Sequence, residues 1–89
     1  MYVIIVYDVG EKRVNKFHKF LKKYLKWVQR SVFEGELTES EIREIKHYFS
    51  QNCDQNEDGL IIYYMRDKRW LYRELHGVGI TSEEMDNFL

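Results

Sequence analysis

Residues 2–7, Tyr-Val-Ile-Ile-Val-Tyr, form an unbroken apolar run that ends at Asp8. β-Branched and aromatic residues without polar alternation are typical of a strand that is buried on both faces. Such a strand lies inside a sheet, and the rest of the chain has to cover it. An ionised carboxylate buried at its end would destabilise the fold unless it pairs, binds a metal ion or takes up a proton.

Two interpretations of Asp8 follow from its neighbours. It can cap the helix that comes next or pair with Arg13. Alternatively, it lies beside an anionic ligand, because the charges that follow along the chain are predominantly positive. Residues 1–30 carry eight lysines and arginines against two acids, whereas residues 31–89 carry six against thirteen. The net charge of −1 thus conceals a basic amino-terminal part, which indicates a surface that attracts anions.

Length and composition limit the kind of protein. Eighty-nine residues form one domain, and no stretch approaches the roughly 20 apolar residues that cross a bilayer. The apolar run starts at Met1 without the basic region of a signal peptide, so we expect no such peptide. The single Cys53 excludes a disulfide within the chain and fits a reducing compartment. We therefore expect a cytoplasmic protein.

Apolar residues at helical spacing predict a first helix from about Lys12 to Leu25. Its opposite face carries lysines at steps of four and three: Lys12, Lys16, Lys19, Lys23 and Lys26. A charge run is usually a solvated face. Five lysines with almost no acid among them nevertheless favour a surface that follows a phosphate backbone. Such contacts do not read bases, so we expect weak sequence preference.

Four segments beyond the first helix are predicted as strands. Their positions are 27–34, a short stretch around Glu36 and Leu37, 60–65, and 70–76. The first is rich in aromatic and β-branched residues, and Gly35 ends it. A polar loop over 52–59 and a charged turn over 66–69 precede the last two.

A second helix begins at a capping box. Thr38 and Glu41 have the spacing in which each side chain bonds the other residue's backbone, and the helix should end near Gln51. Thr81 and Glu84 form a further capping box, which predicts a short helix in the tail.

The resulting order, βαββαβ with an additional C-terminal strand and a short tail, predicts an α+β ferredoxin-like fold. Residues 1–77 would form the domain and residues 78–89 the tail. An antiparallel sheet with both helices on one face leaves its other face to be covered. A second subunit is the simplest cover, and the additional strand can pair across that boundary, so we expect a homodimer.

No zinc pattern, Gly-rich phosphate loop or Ser-His-Asp arrangement is present. Residues 54–59 imitate the start of a calcium loop, but Met65 stands where a bidentate Glu would close it, so we interpret them as a turn.

If the chain performs hydrolysis, the nucleophile is a water activated by a hard divalent ion such as Mg²⁺, with Asp8 as the ligand. Two Asp8 residues across a homodimer axis would form a better site than one.

Three segments, 1–9, 28–37 and 60–64, together resemble the CRISPR-associated protein two family, the small partner of the CRISPR integrase. The sequence Gln-Arg-Ser-Val-Phe-Glu-Gly over 29–35 is specific when it occurs at this distance from Asp8. The resemblance extends in order and spacing from residue 1 to about residue 77.

The resemblance implies a ferredoxin-like homodimer that serves spacer acquisition. It implies a Mg²⁺-dependent endonuclease for single-stranded RNA or double-stranded DNA, which also bridges the integrase and holds the new DNA. Asp8 matches the metal-binding aspartate, and Arg30, Ser31 and Phe33 match a motif near the dimer interface and active cleft. Arg13 falls in a loop where members often carry a basic residue, so Arg13 or Arg30 would neutralise the phosphate. Phe33 can equally be a packing residue and Ser31 a local hydrogen-bonding one.

Three alternatives stay open. A non-catalytic adaptor would use the lysine helix to bind duplex DNA and the tail to bind the integrase. A toxin-like ribonuclease can share this fold. A small-ligand regulatory domain would not bind DNA in a salt-dependent way, and the lysines argue against it.

Overall fold

A computed structural model describes residues 1–77, so the short helix predicted at Thr81 and Glu84 lies outside the described part of the chain. Its elements are β1 (Tyr2–Asp8), α1 (Glu11–Leu21), β2 (Lys26–Gln29), β3 (Val32–Glu36), α2 (Glu39–Asn52) and β4 (Gly59–Met65). A short 3-10 helix, Lys68–Trp70, follows β4. This order confirms the predicted α+β class.

The four strands form one antiparallel sheet in the order β2-β3-β1-β4. The strand β1 is central: its Ile5 pairs with Phe33 of β3 on one side and with Ile62 of β4 on the other. Both edges of β1 are therefore hydrogen-bonded, as its continuous apolar sequence predicts. The topology is that of the ferredoxin-like fold.

Both helices pack on the same face of the sheet. The core between the layers contains Val3, Ile5, Tyr7, Val9, Phe17, Leu21, Leu25, Phe33, Leu37, Ile42 and Ile45. Because side chains alternate along a strand, Ile4, Val6 and Asp8 face the other side. Neither α1 nor α2 covers that side, which we call the open face.

The capping box of α2 is present as predicted. The Thr38 hydroxyl accepts a hydrogen bond from the Glu41 amide, and the Glu41 carboxylate accepts one from the Thr38 amide. The helix ends at Asn52, close to the predicted end at Gln51. The rejected calcium-like segment is a turn that leads into β4, as interpreted.

The predicted strand over 27–34 is wrong, because this segment forms the hairpin between β2 and β3. The chain reverses at Arg30, whose φ of +42° lies in the left-handed region. Gly35 does not end a strand but lies within β3. A Cβ atom there would come within 3.1 Å of Leu25 Cδ2, so glycine lets Leu25 pack against the sheet.

Two other boundaries also differ. The helix α1 ends at Leu21 rather than Leu25, so Lys23 and Lys26 do not lie on it. The chain turns here because β2 has to begin at Lys26 to pair with β3. The strand predicted over 70–76 is absent from the single chain, where the 3-10 helix and an irregular segment take its place. A strand needs a hydrogen-bonded partner, and within residues 1–77 this segment pairs with no edge of the sheet.

None of the helices within residues 1–77 has the length and apolar character needed to cross a membrane.

Replacement of Ile45 by alanine should lower the free energy of unfolding by about 2–5 kcal/mol, because it leaves a cavity in the core. Ile45 on α2 is completely buried. Urea denaturation at a fixed protein concentration would measure the change. The exposed neighbour Lys46 provides the control, and Lys46→Ala should change the stability by less than about 0.5 kcal/mol. Equal effects of the two substitutions would contradict this packing.

Candidate active site at the end of the first strand

Asp8 is the last residue of β1, and it is exposed. Its backbone pairs with Gly59 at the start of β4. Among residues 1–77, no side chain or backbone group forms a hydrogen bond or ion pair with its carboxylate. The N-cap of α1 is Gly10, and no side chain caps that helix. The interpretation of Asp8 as a helix cap is therefore wrong, and its carboxylate is available to a ligand.

Arg13 does not pair with Asp8 either. Its Nε donates to Asp58 Oδ2 at 2.6 Å, and its Nη2 donates to Asp58 Oδ1 and to Glu57, each at 3.1 Å. The side chain of Asp58 is completely buried. The Arg13 guanidinium holds the pKa of Asp58 well below its usual range, and the amides of Asp54 and Gly10 act in the same direction. Arg13, predicted to neutralise a phosphate, is thus already bound to carboxylates.

The three residues of the second-strand motif have different surroundings. Arg30 is exposed at the tip of the β2–β3 hairpin, where its carbonyl accepts a bond of 2.8 Å from Trp27 Nε1. Ser31 is half-buried, and its carbonyl accepts a bond of 3.1 Å from the Tyr7 amide. Phe33 has no exposed surface even in the single chain. Phe33 is therefore a core residue, in agreement with the packing alternative rather than with a place in the cleft.

Tyr7, which precedes Asp8, points into the core. Its hydroxyl lies 3.0 Å from Nδ1 of His18, and the His18 ring meets the rings of Trp27 and Phe33, each with centroids 5.0 Å apart. Burial lowers the pKa of His18, and the charge of Lys22 lowers it further. Burial also raises the pKa of Tyr7, which a hydrogen bond with Ser31 partly opposes. This aromatic cluster packs under the end of β1 on the helix-covered face of the sheet.

The predicted lysine stripe divides into two groups. Lys12, Lys16 and Lys19 are exposed on α1, and the first two line a groove beside Tyr48 and Asn52 of α2. Lys23 lies in the turn after α1 and Lys26 at the start of β2. These two line a cleft of about 400 Å³ whose other charged residues are Lys22, Lys68, Glu34 and Glu36. The basic character predicted for this part of the chain is present, although one helix does not carry all of it.

The open face is apolar at its middle. Ile61 and Tyr63 of β4 are 50% and 53% exposed, and Ile4 and Val6 beside them are half-buried. Near the start of β1, Glu34 is buried, and its carboxylate accepts bonds from the hydroxyl of Tyr2 and the guanidinium of Arg73. The residues that follow β4 therefore fold back on this face.

The donor set at Asp8 suits a hard divalent ion. No cluster of three or more His, Cys, Asp or Glu side chains that could hold a metal occurs within residues 1–77, so one chain supplies only part of a coordination shell. Mg²⁺ keeps several waters and commonly takes one or two carboxylates from a protein. An exposed carboxylate without a partner fits that requirement, and a second copy of Asp8 would complete the pair.

Three features of the site were not predicted: the Asp58–Arg13 pair, the Tyr7–His18 bond and the burial of Glu34. Of these three features, only the Asp58–Arg13 pair has a signal in the sequence, because Asp58 is an acid directly before Gly59, where β4 begins. Its partner Arg13 is distant in the sequence, so residue spacing does not reveal the pair.

The fold and this site define a small ferredoxin-like protein with a solvent-facing carboxylate at the end of its central strand and exposed lysines on the helix that follows. The sequence profile of the CRISPR-associated protein Cas2 family matches residues 1–73. The chain therefore belongs to the Cas2 family, which confirms the resemblance.

Individual relatives agree with that assignment. The chain is 51% identical over 89 residues to "CRISPR-associated endoribonuclease Cas2" of Methanosarcina acetivorans, with all of both chains covered. It is 57% identical over 89 residues to the protein of the same name from Methanocaldococcus jannaschii, covering all of this chain and 76% of that one.

Solved structures confirm the fold. A crystal structure of Cas2 superimposes with a TM-score of 0.76 at 43% identity, covering 92% of this chain and 90% of the other. Streptococcus pyogenes Cas2 at pH 6.5 gives a TM-score of 0.73 at 30% identity, covering 85% of this chain and all of that chain.

The free energy of unfolding should fall as the pH is lowered through about 6.5, the usual pKa of histidine. The folded state resists protonation of His18, so between the two pKa values the unfolded state binds the additional proton and gains stability. The loss should level off below the pKa of folded His18. Denaturation of the protein and of His18→Asn at several pH values would test this, because the variant should lose that slope. An unchanged slope in the variant would contradict the assignment to His18.

Proposed function

We propose that this protein is a Mg²⁺-dependent endonuclease of CRISPR spacer acquisition that acts as a homodimer. The observation that carries the proposal is the exposed Asp8 carboxylate, which has no partner within residues 1–77 and ends the central strand on the open face. Relatives that match the whole chain are named CRISPR-associated endoribonucleases, which supports phosphodiester cleavage and favours RNA among the expected substrates. Double-stranded DNA is the other substrate to be tested.

Asp8 would hold the metal ion in this proposal. When bound, Mg²⁺ supplies Lewis-acid activation of water and neutralises charge on a phosphate. The buried Tyr7 and Val9 on either side of Asp8 fix the backbone from which its carboxylate projects. Lys12, Lys16 and Lys19 would position the nucleic-acid backbone, and Arg30 at the hairpin tip would add a further cation.

The open face supports a homodimer. Ile61 and Tyr63 are half-exposed there beside Ile4 and Val6, and this apolar area lies on the same side of the sheet as Asp8. Packing two such faces together would bury apolar surface from both copies. It would also place the two Asp8 residues at one interface. The cytoplasm is the proposed location, since the single free Cys53 fits a reducing compartment.

A non-catalytic adaptor that bridges the CRISPR integrase is the second candidate function. The observation that favours it lies after β4, where Trp70 and Tyr72 are 70% and 88% exposed. Exposed aromatic residues are typical of surfaces that bind another protein. This role does not require Asp8, so the same variant separates the two functions.

Asp8→Asn should abolish cleavage of defined RNA and DNA substrates, because an amide is a much weaker ligand for Mg²⁺ than a carboxylate. Cleavage would be measured with Mg²⁺ and with a chelator, using chains purified in parallel. If both subunits supply Asp8 to one site, the activity that remains after subunit exchange should equal the square of the wild-type fraction. Activity proportional to the wild-type fraction would mean that each Asp8 acts independently.

Glu44→Gln is the matched control for that experiment. It removes one negative charge from α2, where Glu44 accepts a surface hydrogen bond from Tyr24, and cleavage should be unchanged. Full cleavage by Asp8→Asn would contradict the nuclease proposal. Loss of cleavage with intact spacer acquisition would favour the adaptor as the cellular role.

Replacement of Lys12, Lys16 and Lys19 by alanine should weaken nucleic-acid binding to a similar extent for all sequences. Each phosphate contact that is lost should reduce the slope of log K against log salt by about 0.7–0.9. Fluorescence anisotropy from about 50 to 200 mM salt would measure this slope. A triple variant with an unchanged slope would exclude α1 from the interface. Lys46→Ala on α2 is the single-charge control.

A further inference from the structure

The carboxylate of Asp58 joins two backbone amides and the side chain of Arg13 near Asp8. Its Oδ1 accepts a bond of 2.8 Å from the Gly10 amide and one of 3.1 Å from Arg13 Nη2. Its Oδ2 accepts bonds of 2.6 Å from Arg13 Nε and 2.8 Å from the Asp54 amide. We call Asp58, Arg13 and the Gly10 amide the Asp58 clamp. All four bonds are internal, so Asp58 has no free position for a metal ion.

The clamp holds the backbone of Asp8 from two directions. Gly10 follows Asp8 by two residues, and Gly59, which pairs with Asp8 across the sheet, directly follows Asp58. One side chain thus fixes both the segment that leaves Asp8 and the strand beside it. The Asp8 carboxylate takes no part in these bonds.

Gly10 is closely fitted to this arrangement. A Cβ atom on Gly10 would lie 2.8 Å from Arg13 Nη2 and 3.6 Å from Asp58 Oδ1. The φ of Gly10 is −61°, which any residue adopts, so the requirement for glycine is space beside the guanidinium. An alanine here would displace Arg13 without changing any charge.

A buried ion pair is a poor means of gaining stability, because removing both charges from water offsets much of their attraction. Its fixed, bidentate geometry is better suited to holding two segments in one relative position. The loop that the Asp58 clamp fixes leads directly out of the candidate metal site.

We propose that the Asp58 clamp positions Asp8 for metal binding. Asp58 and Arg13 are positioning residues that act through the backbone of Asp8, and neither touches the metal ion or the substrate. This inference rests on the proposed function of Asp8 as the metal ligand. It also assigns Arg13 to the site's architecture rather than to phosphate binding.

The test compares Asp58→Asn and Gly10→Ala with the wild-type protein in two measurements. The first is the Mn²⁺ dissociation constant from calorimetry, which does not depend on activity. The second is the Mg²⁺ concentration that gives half-maximal cleavage. Loss of a group that orients a metal ligand typically weakens metal affinity 10–100-fold, so both values should rise by about tenfold or more. Excess Mg²⁺ should restore much of the cleavage rate, because Asp8 itself is still present.

Circular dichroism shows whether each variant is folded, and hydrogen exchange of the amide at position 10 shows whether its clamp has opened. Glu44→Gln carries the same charge change as Asp58→Asn. It should leave the Mn²⁺ dissociation constant and the Mg²⁺ concentration for half-maximal cleavage unchanged. If Asp58→Asn does not fold, Gly10→Ala and Arg13→Lys decide the question by the same measurements. A folded variant in which the amide at position 10 exchanges faster, yet whose Mn²⁺ dissociation constant and Mg²⁺ requirement equal those of the wild type, would overturn the positioning role alone. Full cleavage by Asp8→Asn would instead overturn the proposed function and this inference with it.

Discussion

The central position of β1 is the constraint on which the rest of the structure depends. Its two edges are bonded to β3 and β4, and the two helices cover one of its faces. Only the uncovered part of the open face and the end of the strand are left for interaction with other molecules. Asp8 occupies both of these places, because the alternation that buries Tyr7 turns the next side chain outward. The location of the candidate site therefore follows from the requirement to bury residues 2–7.

The elements that could be predicted from the sequence are those whose signals are local. The apolar run of β1 and the capping box of Thr38 and Glu41 each lie within a few residues, and both were identified correctly. The β2–β3 turn was missed because Gln29, Arg30 and Ser31 include no Gly, Pro, Asn or Asp, and Ser marks a turn only weakly. Arg30 adopts a positive φ there, which pairing of the flanking strands imposes against its local preference.

The same distinction applies to the candidate site. The place of Asp8 could be predicted, since it depends on strand period alone. The partner of Arg13 could not, because Asp58 lies 45 residues away and only the pairing of β1 with β4 brings them together. Sequence spacing likewise extended the lysine stripe along one helix. The need to start β2 at Lys26 ended that helix after Leu21 and divided the lysines between two surfaces.

The pairing of Glu34 with Arg73 connects the segment after β4 to the middle of the sheet. A polypeptide that stopped after Met65 would retain all four strands. It would lose both the guanidinium that neutralises Glu34 and the segment that folds back over that carboxylate. The residues as far as Arg73 therefore contribute to the fold, and the family match ends at the same residue. That contribution comes from the neutralisation of one carboxylate and not from a further strand.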